Sequence, residues 1–143
     1  MDLIRVGDDG CGIRAADLWL ACQRHATSKY PTEGLTAVRT LGFRGEALPS
    51  IAAVSRLTLR TKTAGTTAGF RLVVEAGREI DAGEVGIADG TQIEVRDLFF
   101  TTPARLQFLQ SAPTELSATL RALTQLALAH PEVQLRVTNN GRA

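Results

Sequence analysis

The chain has 143 residues, a formal net charge of +1 and a hydrophobic content of 44%. This length predicts one domain, and the hydrophobic fraction is sufficient for a buried core. The near-neutral charge excludes a strong electrostatic footprint for nucleic acid, and no apolar run is long enough to cross a bilayer. We therefore expect a protein that stays in the cytosol.

The N-terminal third begins with a strand and continues through two helices. The strand is predicted at Leu3–Val6 and the first helix at Ala15–Arg24. A second helix is predicted at Gly45–Val54. Cys11 and Cys22 have no metal-binding or redox spacing, so we expect reduced thiols, with Cys11 packed under a turn and Cys22 on a buried helix face.

The central part of the chain reads as a sheet. Alternating apolar residues predict strands at Arg56–Lys62, Gly69–Glu75 and Thr91–Arg96. Segments rich in Gly, Thr and Asp predict turns at Gly65–Gly69 and Ala82–Gly90. Because the strands follow one another, we expect an antiparallel meander within an α/β layer structure.

The C-terminal part is predicted to be mainly helical. Pro103 suits the first turn of a short helix that runs to Phe108, and Thr114 is a candidate cap for a longer helix that stops before Pro131. A last strand is predicted at Val133–Val137, and the following Asn-Asn-Gly is typical of a hairpin. We expect the chain to stop within that hairpin.

The segment Leu41–Leu48 has the features of a phosphate-binding loop. Gly42 and Gly45 bracket Phe43 and Arg44 just before the predicted second helix. Glycines allow backbone N–H groups to approach an anion closely, and a helix N-terminus adds further donors. The alternative interpretation is plain turn chemistry or a tight packing contact.

A second candidate site lies at the end of the first strand. Asp8 and Asp9 are followed by Gly10 and Gly12 in alternate positions. A carboxylate at a strand end can accept hydrogen bonds from an exocyclic amine, and the glycines leave room for a flat ring. A simple Asp-Gly turn is the alternative.

A polar cluster, His25–Lys29, lies between these two motifs. It contains the hydroxyl groups of Thr27 and Ser28 and the ammonium group of Lys29, which are suitable phosphate ligands. The alternative is a helix C-terminus whose cationic side chains complement the helix dipole.

Together these motifs resemble MutL-type DNA mismatch repair proteins, which belong to the GHKL ATPase group. The matching strings are Asp8–Ile13, Arg24–Lys29, Leu41–Leu48, Gly90–Thr91 and Val95–Arg105, and they occur in the family's order. The resemblance implies a GHKL (Bergerat-type) ATPase fold. This fold is an α+β two-layer sandwich with a mixed, mainly antiparallel sheet and helices on one face.

The resemblance also implies roles for individual residues. In such proteins the aspartate that matches Asp8 holds the adenine amino group, and the threonine that matches Thr91 lies near that base. The residues that match Thr27, Ser28 and Lys29 belong to a mobile lid. The other implied ATP-binding residues shape the purine pocket (Gly10, Gly12 and Ile13) or wrap the phosphates (Gly42, Phe43, Arg44, Gly45, Glu46, Ala47 and Leu48).

The chain departs from the family pattern in two respects. Asp9 stands where the family usually has Asn. The family's Glu general base and Asn magnesium ligand would precede Asp2, and its second-domain lysine would follow Ala143. We therefore expect residues 1–143 to form a MutL-type ATPase domain without its first helix and without the following transducer domain. Such a chain would bind ATP but hold no catalytic residue for hydrolysis.

The implied function is an ATP-gated clamp. ATP with Mg²⁺ would order the lid and drive homo- or heterodimerisation of N-terminal domains, coupling a MutS-type mismatch-recognition protein and DNA to downstream repair. The location would be the nucleoid in a bacterium or the nucleus in a eukaryote. One alternative is a remnant that binds no nucleotide and acts as an interaction fragment. A direct DNA-binding module has only Arg96, Arg105 and Arg121 to support it.

Overall fold

The computed structural model describes residues 2–26, 42 and 44–141. The chain divides into two compact units, Met1–Gln107 and Phe108–Ala143. The predicted ligand residues Thr27, Ser28, Lys29 and Phe43 lie outside the described residues. In the described part of the chain, no helix has the length and apolar character needed to cross a membrane.

The first unit is built on a five-stranded sheet. Its strands are β1 (Leu3–Asp8), β2 (Arg56–Lys62), β3 (Gly69–Glu75), β4 (Arg78–Val85) and β5 (Gly90–Arg96). The spatial order is β1-β5-β2-β3-β4, and each pairing of neighbouring strands is antiparallel. The predicted α+β class with a mainly antiparallel sheet is therefore confirmed.

Of the predicted meander, only the antiparallel pairing of β2 with β3 is correct, because β4 was not predicted and β5 does not pair with β3. Strand β5 returns to lie between β1 and β2 and pairs with both of them. The inward residues explain this placement, because β5 contributes the buried Val95 while β4 is mostly exposed and polar. An apolar strand gains most in the middle of a sheet, and a polar strand suits its edge. The turn predicted at Ala82–Gly90 was wrong at its start, because Ala82 to Val85 belong to β4.

Short helices cover one face of the sheet. A 3₁₀ turn at Ala15–Asp17 leads into α1 (Leu18–Ala21), and α2 spans Ala47–Ala52. The first helix is shorter than predicted, because it tightens into i→i+3 bonds at Cys22 and His25 then adopts a φ of 64°. These helices and the inward residues of three strands form the core, whose buried members are Leu18, Cys22, Ala52, Leu57, Leu59, Leu72, Val74 and Val95.

The opposite face of the sheet is polar and centres on Glu94. This residue is only 7% exposed, and its Oε1 accepts hydrogen bonds from Arg60 at 2.9 Å, Arg5 at 3.1 Å and Gln92 at 3.3 Å. Arg96 lies 3.6 Å from Oε2. Burial raises the pKa of Glu94, but the hydrogen bond from Arg60 and the three arginine charges outweigh burial and hold the pKa below its ordinary value.

The first unit ends with α3 (Pro103–Leu106), and the second unit contains α4 (Ala112–Ala129). Both helices have a proline in the first turn, where the missing N–H costs nothing. The strand predicted at Val133–Val137 was wrong, because residues 134–138 have no regular structure. Alternating apolar residues do not form a strand without a hydrogen-bonded neighbour, and Val133 is half exposed.

Candidate functional site

Two predicted site residues, Asp8 and Thr91, form a row across the sheet together with Thr61, which was not predicted. Asp8 at the end of β1 pairs with Thr91 on β5, and Thr91 pairs in turn with Thr61 on β2. Residues that pair directly across antiparallel strands point to the same face of the sheet. This face also carries Leu57 and Leu59, so the row lies at one end of the sheet face that bears the core.

Thr61 makes the most contacts in this row, although it was not among the site residues predicted from the sequence. Its side chain is buried, with 1% of the residue exposed. The Ile13 N–H donates to Thr61 Oγ1 at 2.8 Å, and the Thr61 hydroxyl donates to the Gly90 carbonyl at 2.9 Å. The hydroxyls of Thr61 and Thr91 are 3.1 Å apart. Thr61 therefore ties the glycine turn after β1 to the start of β5. The only sequence signal was a threonine at an inward strand position.

The carboxylate of Asp8 is oriented by its own turn. The Gly10 N–H donates to Asp8 Oδ1 at 2.9 Å. A Cβ on Gly10 would lie 2.8 Å from the same oxygen, so a side chain there would displace the carboxylate. The simple Asp-Gly turn and the ligand site are thus compatible interpretations, because a carboxylate has a second oxygen to offer. Asp8 is exposed, so a ligand can reach it.

Two further glycines let the turn fold tightly against the strand ends. Gly12 has a φ of 70°, and a Cβ there would lie 2.2 Å from the Lys62 carbonyl oxygen. Gly90 has a φ of 116°, and a Cβ there would lie 2.1 Å from the Asp8 carbonyl oxygen. Both positions combine a left-handed backbone with direct backbone contact, which only glycine tolerates. The base-side motif thus depends on glycine for its shape.

The second glycine motif is built differently. Gly45 has a φ of 63°, and a Cβ there would lie 2.2 Å from the Ala26 carbonyl oxygen. Among the described residues, no atom lies within 4 Å of a Cβ placed on Gly42. Within the described part of this loop, the close backbone contact is therefore at Gly45. Gly45 thus lies against Ala26, the second residue of the His25–Lys29 cluster.

The other residues of this loop lie around the start of α2. Glu46 is the N-cap residue of α2, and its Oε1 lies 3.7 Å from His25 Nδ1. The sequence had suggested no partner for His25. Ala47 is the first residue of α2, Leu48 packs partly buried against the core, and Arg44 is exposed.

The remaining candidates near the base-side turn are peripheral. Asp9 is exposed. Cys11 is also exposed, so the prediction that it packs under the turn was wrong, whereas Cys22 lies in the core as predicted. Burial raises the pKa of the Cys22 thiol. Cys11 points its sulfur at the Gly12 carbonyl, 3.5 Å away, rather than at the core.

A cavity of about 280 Å³ lies next to Thr61. Its lining also includes Ile13, Phe70 and Glu84, so it extends towards β3 and β4. Thr61 lines this cavity, whereas Asp8 and Thr91 do not. Within residues 2–26, 42 and 44–141, no group of three or more His, Cys, Asp or Glu side chains could hold a metal ion.

Comparison with known proteins identifies the family. The chain is 56% identical over 143 residues to the DNA mismatch repair protein MutL of Desulforudis audaxviator, covering 99% of this chain and 25% of that protein. It is 54% identical over 141 residues to MutL of Syntrophotalea carbinolica, covering 98% of this chain and 22% of that protein. The chain belongs to the MutL family. It spans about a quarter of the length of these curated MutL relatives. No protein-family model matches the chain.

Solved MutL structures share the fold described above. The Aquifex aeolicus MutL ATPase domain complexed with ADP has a TM-score of 0.72 and 36% identity, covering 92% of this chain and 45% of that one. The ATPase domain of the mismatch repair endonuclease MutL of Aquifex aeolicus has a TM-score of 0.76 and 33% identity, covering 98% and 47% of the two chains. The predicted MutL-type ATPase fold is therefore confirmed for this chain.

Proposed function

We propose that this MutL-type chain forms the adenine-binding part of an ATP site. The observation that supports it best is the row of Asp8, Thr91 and Thr61, in which the carboxylate is oriented by Gly10 and the two hydroxyls are in contact. A related MutL ATPase domain has been solved with ADP bound. The site presents oxygen acceptors to a ligand, as recognition of an exocyclic amine requires.

The residues of the site suit a flat heterocycle. Gly10, Gly12 and Gly90 keep side chains away from the turn, and a Cβ at any of them would meet Asp8 or the Lys62 backbone. The adenine ring would lie over this turn, with its amino group at Asp8. ATP differs from ADP in its terminal (γ) phosphate group, which would lie away from the base. The chain's own residues bind and orient the base.

We propose that the segment near Gly45 responds to the phosphates. The close approach of Gly45 to the Ala26 carbonyl supports this proposal, because Ala26 directly precedes Thr27, Ser28 and Lys29 in the chain. ATP would order that segment and promote pairing of N-terminal domains in the intact protein, where a MutS-type protein and DNA are the expected partners. Order on binding of a terminal phosphate is the usual logic of such switches. Mg²⁺ would need ligands beyond those described, and a cytosolic or nucleoid location follows from the proposed repair function.

Calorimetric titration of the 143-residue chain with ADP tests the base site. Asp8→Asn removes the charged acceptor and is expected to weaken ADP binding about 10- to 100-fold, the size of a lost charge-assisted hydrogen bond. Asp9→Asn is the matched control, because it removes the same charge from the adjacent exposed residue. We expect its affinity to stay within about threefold of the unsubstituted chain. Equal weakening by both substitutions, or no effect of either, would contradict the proposal.

One observation favours an interaction fragment instead. Ile4 and Val6 lie on the edge strand β1 with 39% and 61% of their surfaces exposed, although both point to the apolar face of the sheet. Exposed apolar residues on an edge strand are typical of a protein contact. A chain that shows folded circular dichroism but no heat of ADP binding would support this second function and overturn the first.

A further inference from the structure

The hydroxyl group of Thr61 has used all of its hydrogen-bonding capacity. A threonine hydroxyl has one proton to donate and two lone pairs that accept. Its proton goes to the Gly90 carbonyl, because a carbonyl oxygen can only accept, and the two atoms are 2.9 Å apart. One lone pair accepts the Ile13 N–H at 2.8 Å. Only the second lone pair is left for Thr91.

The direction of the hydrogen bond between the two threonines follows from this count. The two oxygens are 3.1 Å apart, and Thr61 has no second proton to give. Thr91 must therefore donate its own proton to Thr61. The Thr91 oxygen is then left with lone pairs only, and it can act towards a ligand as an acceptor and not as a donor.

The base edge of the site therefore presents two acceptors. Asp8 is one, with its carboxylate held by the Gly10 N–H, and Thr91 is the other, directly across the strand pair. A purine with an exocyclic amine at position 6 offers two N–H donors to this pair. A purine with a carbonyl oxygen at position 6 places an acceptor there instead, so the Asp8 carboxylate and the Thr91 oxygen would face an acceptor without a proton between them.

We propose that Thr61 determines purine selectivity as a positioning residue, by holding the Thr91 hydroxyl as an acceptor so that the site selects 6-amino purines over 6-oxo purines. This inference rests on the proposed nucleotide-binding function. Thr61 touches no base in this scheme and acts through Thr91. Removing the Thr61 hydroxyl releases the Thr91 proton, which can then rotate and donate to a 6-oxo group.

The test compares binding of ADP with binding of inosine 5′-diphosphate, which has a carbonyl oxygen in place of the amino group at position 6 and a proton on the adjacent N1. Thr61→Val keeps the shape of the side chain but has no hydroxyl, and Thr61→Ser keeps the hydroxyl. We expect the preference for ADP to fall about tenfold in Thr61→Val and to stay within about twofold in Thr61→Ser. If Thr61 had only a structural role, Thr61→Val would weaken binding of ADP and of inosine diphosphate equally, and the ratio of the two affinities would not change. An unchanged ratio in Thr61→Val, or a changed ratio in Thr61→Ser, overturns the inference.

A double substitution assigns the effect to Thr91. In a Thr91→Val background there is no hydroxyl to reorient, so adding Thr61→Val is expected to leave the ADP to inosine diphosphate ratio within about twofold. A further tenfold fall in that background would overturn the scheme.

Failure of the proposed nucleotide binding can be distinguished from failure of the inference about Thr61. If the unsubstituted chain binds neither nucleotide, the proposed function is wrong and the selectivity inference falls with it. If that chain binds ADP and Thr61→Val keeps the same ratio, only the inference is wrong. In the ligand-free chain, slow hydrogen exchange of the Ile13 amide should be lost in Thr61→Val and kept in Thr61→Ser. Equal exchange rates in the two variants would contradict the hydrogen-bond network itself.

Discussion

The two faces of the sheet each contain a buried polar residue, and the two differ in what they hold together. Thr61, 1% exposed, bonds to backbone groups of Ile13 and Gly90 and to the side chain of Thr91. Glu94, 7% exposed, bonds to side chains only, and its main partners are arginines. One network therefore shapes the backbone of a site, and the other links side chains across three strands.

The two networks respond differently to pH. A neutral network of hydroxyls and amides does not change its charge with pH, so the geometry around Asp8 is fixed over a wide range of conditions. A charged network depends on the ionisation of Glu94, and its contribution to folding changes with pH. Removal of a hydrogen-bonding side chain from the Thr61 network should change ligand selectivity at a small cost in stability, whereas removal of the Glu94 charge should change stability and its dependence on pH.

Gly90→Ala should have the largest effect. The new Cβ would meet the Asp8 carbonyl oxygen at 2.1 Å in a backbone with a φ of 116°. We expect a loss of about 3 kcal/mol in the free energy of unfolding, measured by urea denaturation. The matched control is Gly65→Ala, at a φ of 82° with no atom within 4 Å, where the cost should be about 1 kcal/mol. Equal losses would show that backbone contact at Asp8 is unimportant.

Glu94→Gln should have the next largest effect. Three arginines would lose the buried carboxylate that they share, and we expect about 2 kcal/mol of destabilisation at pH 7. Urea denaturation against Glu79→Gln, an exposed carboxylate on β4, measures this. A loss in Glu94→Gln no greater than that of the control would mean that the arginines are solvated and not held by the ion pairs.

The stability difference between the unsubstituted chain and Glu94→Gln should depend on pH. The pKa of Glu94 is lower in the folded state than its ordinary value of 4.5, so the unfolded state binds the proton first. The stabilisation is then full above about pH 4.5 and is lost as the pH falls through the lower folded value. Urea midpoints at a series of pH values from 7 to 3 measure this trend. A difference that grows on acidification would contradict the assigned sign.

Thr61→Val should have the smallest effect on stability, although it changes ligand selectivity. The Ile13 N–H and the Gly90 carbonyl would each lose a partner, and we expect a cost of about 1 kcal/mol. Because no group in this network is charged, the cost should be the same at pH 4 and pH 7. A strong pH dependence, measured in the same denaturation series, would remove the contrast between the two networks.

Alternation of inward apolar residues made much of the sheet predictable. The bounds of β2 and β3 were predicted to the residue, since Leu57 and Leu59 face Leu72 and Val74 across the pair. The edge strand β4 was missed because its residues are mainly polar and need no buried face. The strand predicted at Val133–Val137 shows the reverse error, since alternation alone supplies no partner.

The candidate site residues were proposed from motifs and not from register. Asp8, Gly10 and Gly12 were proposed from residue type and order along the chain, and Thr91 from the resemblance to the MutL family. The role of Thr61 follows only from the strand order β1-β5-β2 and from the fold of the glycine turn back onto β2, which no local pattern specifies. The sequence therefore did not predict the role of Thr61, which links the glycine turn after β1 to Gly90 at the start of β5.

The most direct test of the nucleotide site is an NMR titration of the 143-residue chain with ADP, followed through backbone amide shifts. We expect saturable changes at Gly10, Ile13 and Thr91, which would surround the base in the proposed site, and none at Arg5 or Glu94 on the opposite face of the sheet. A folded chain that shows no shifts, or shifts confined to the arginine face, would contradict it.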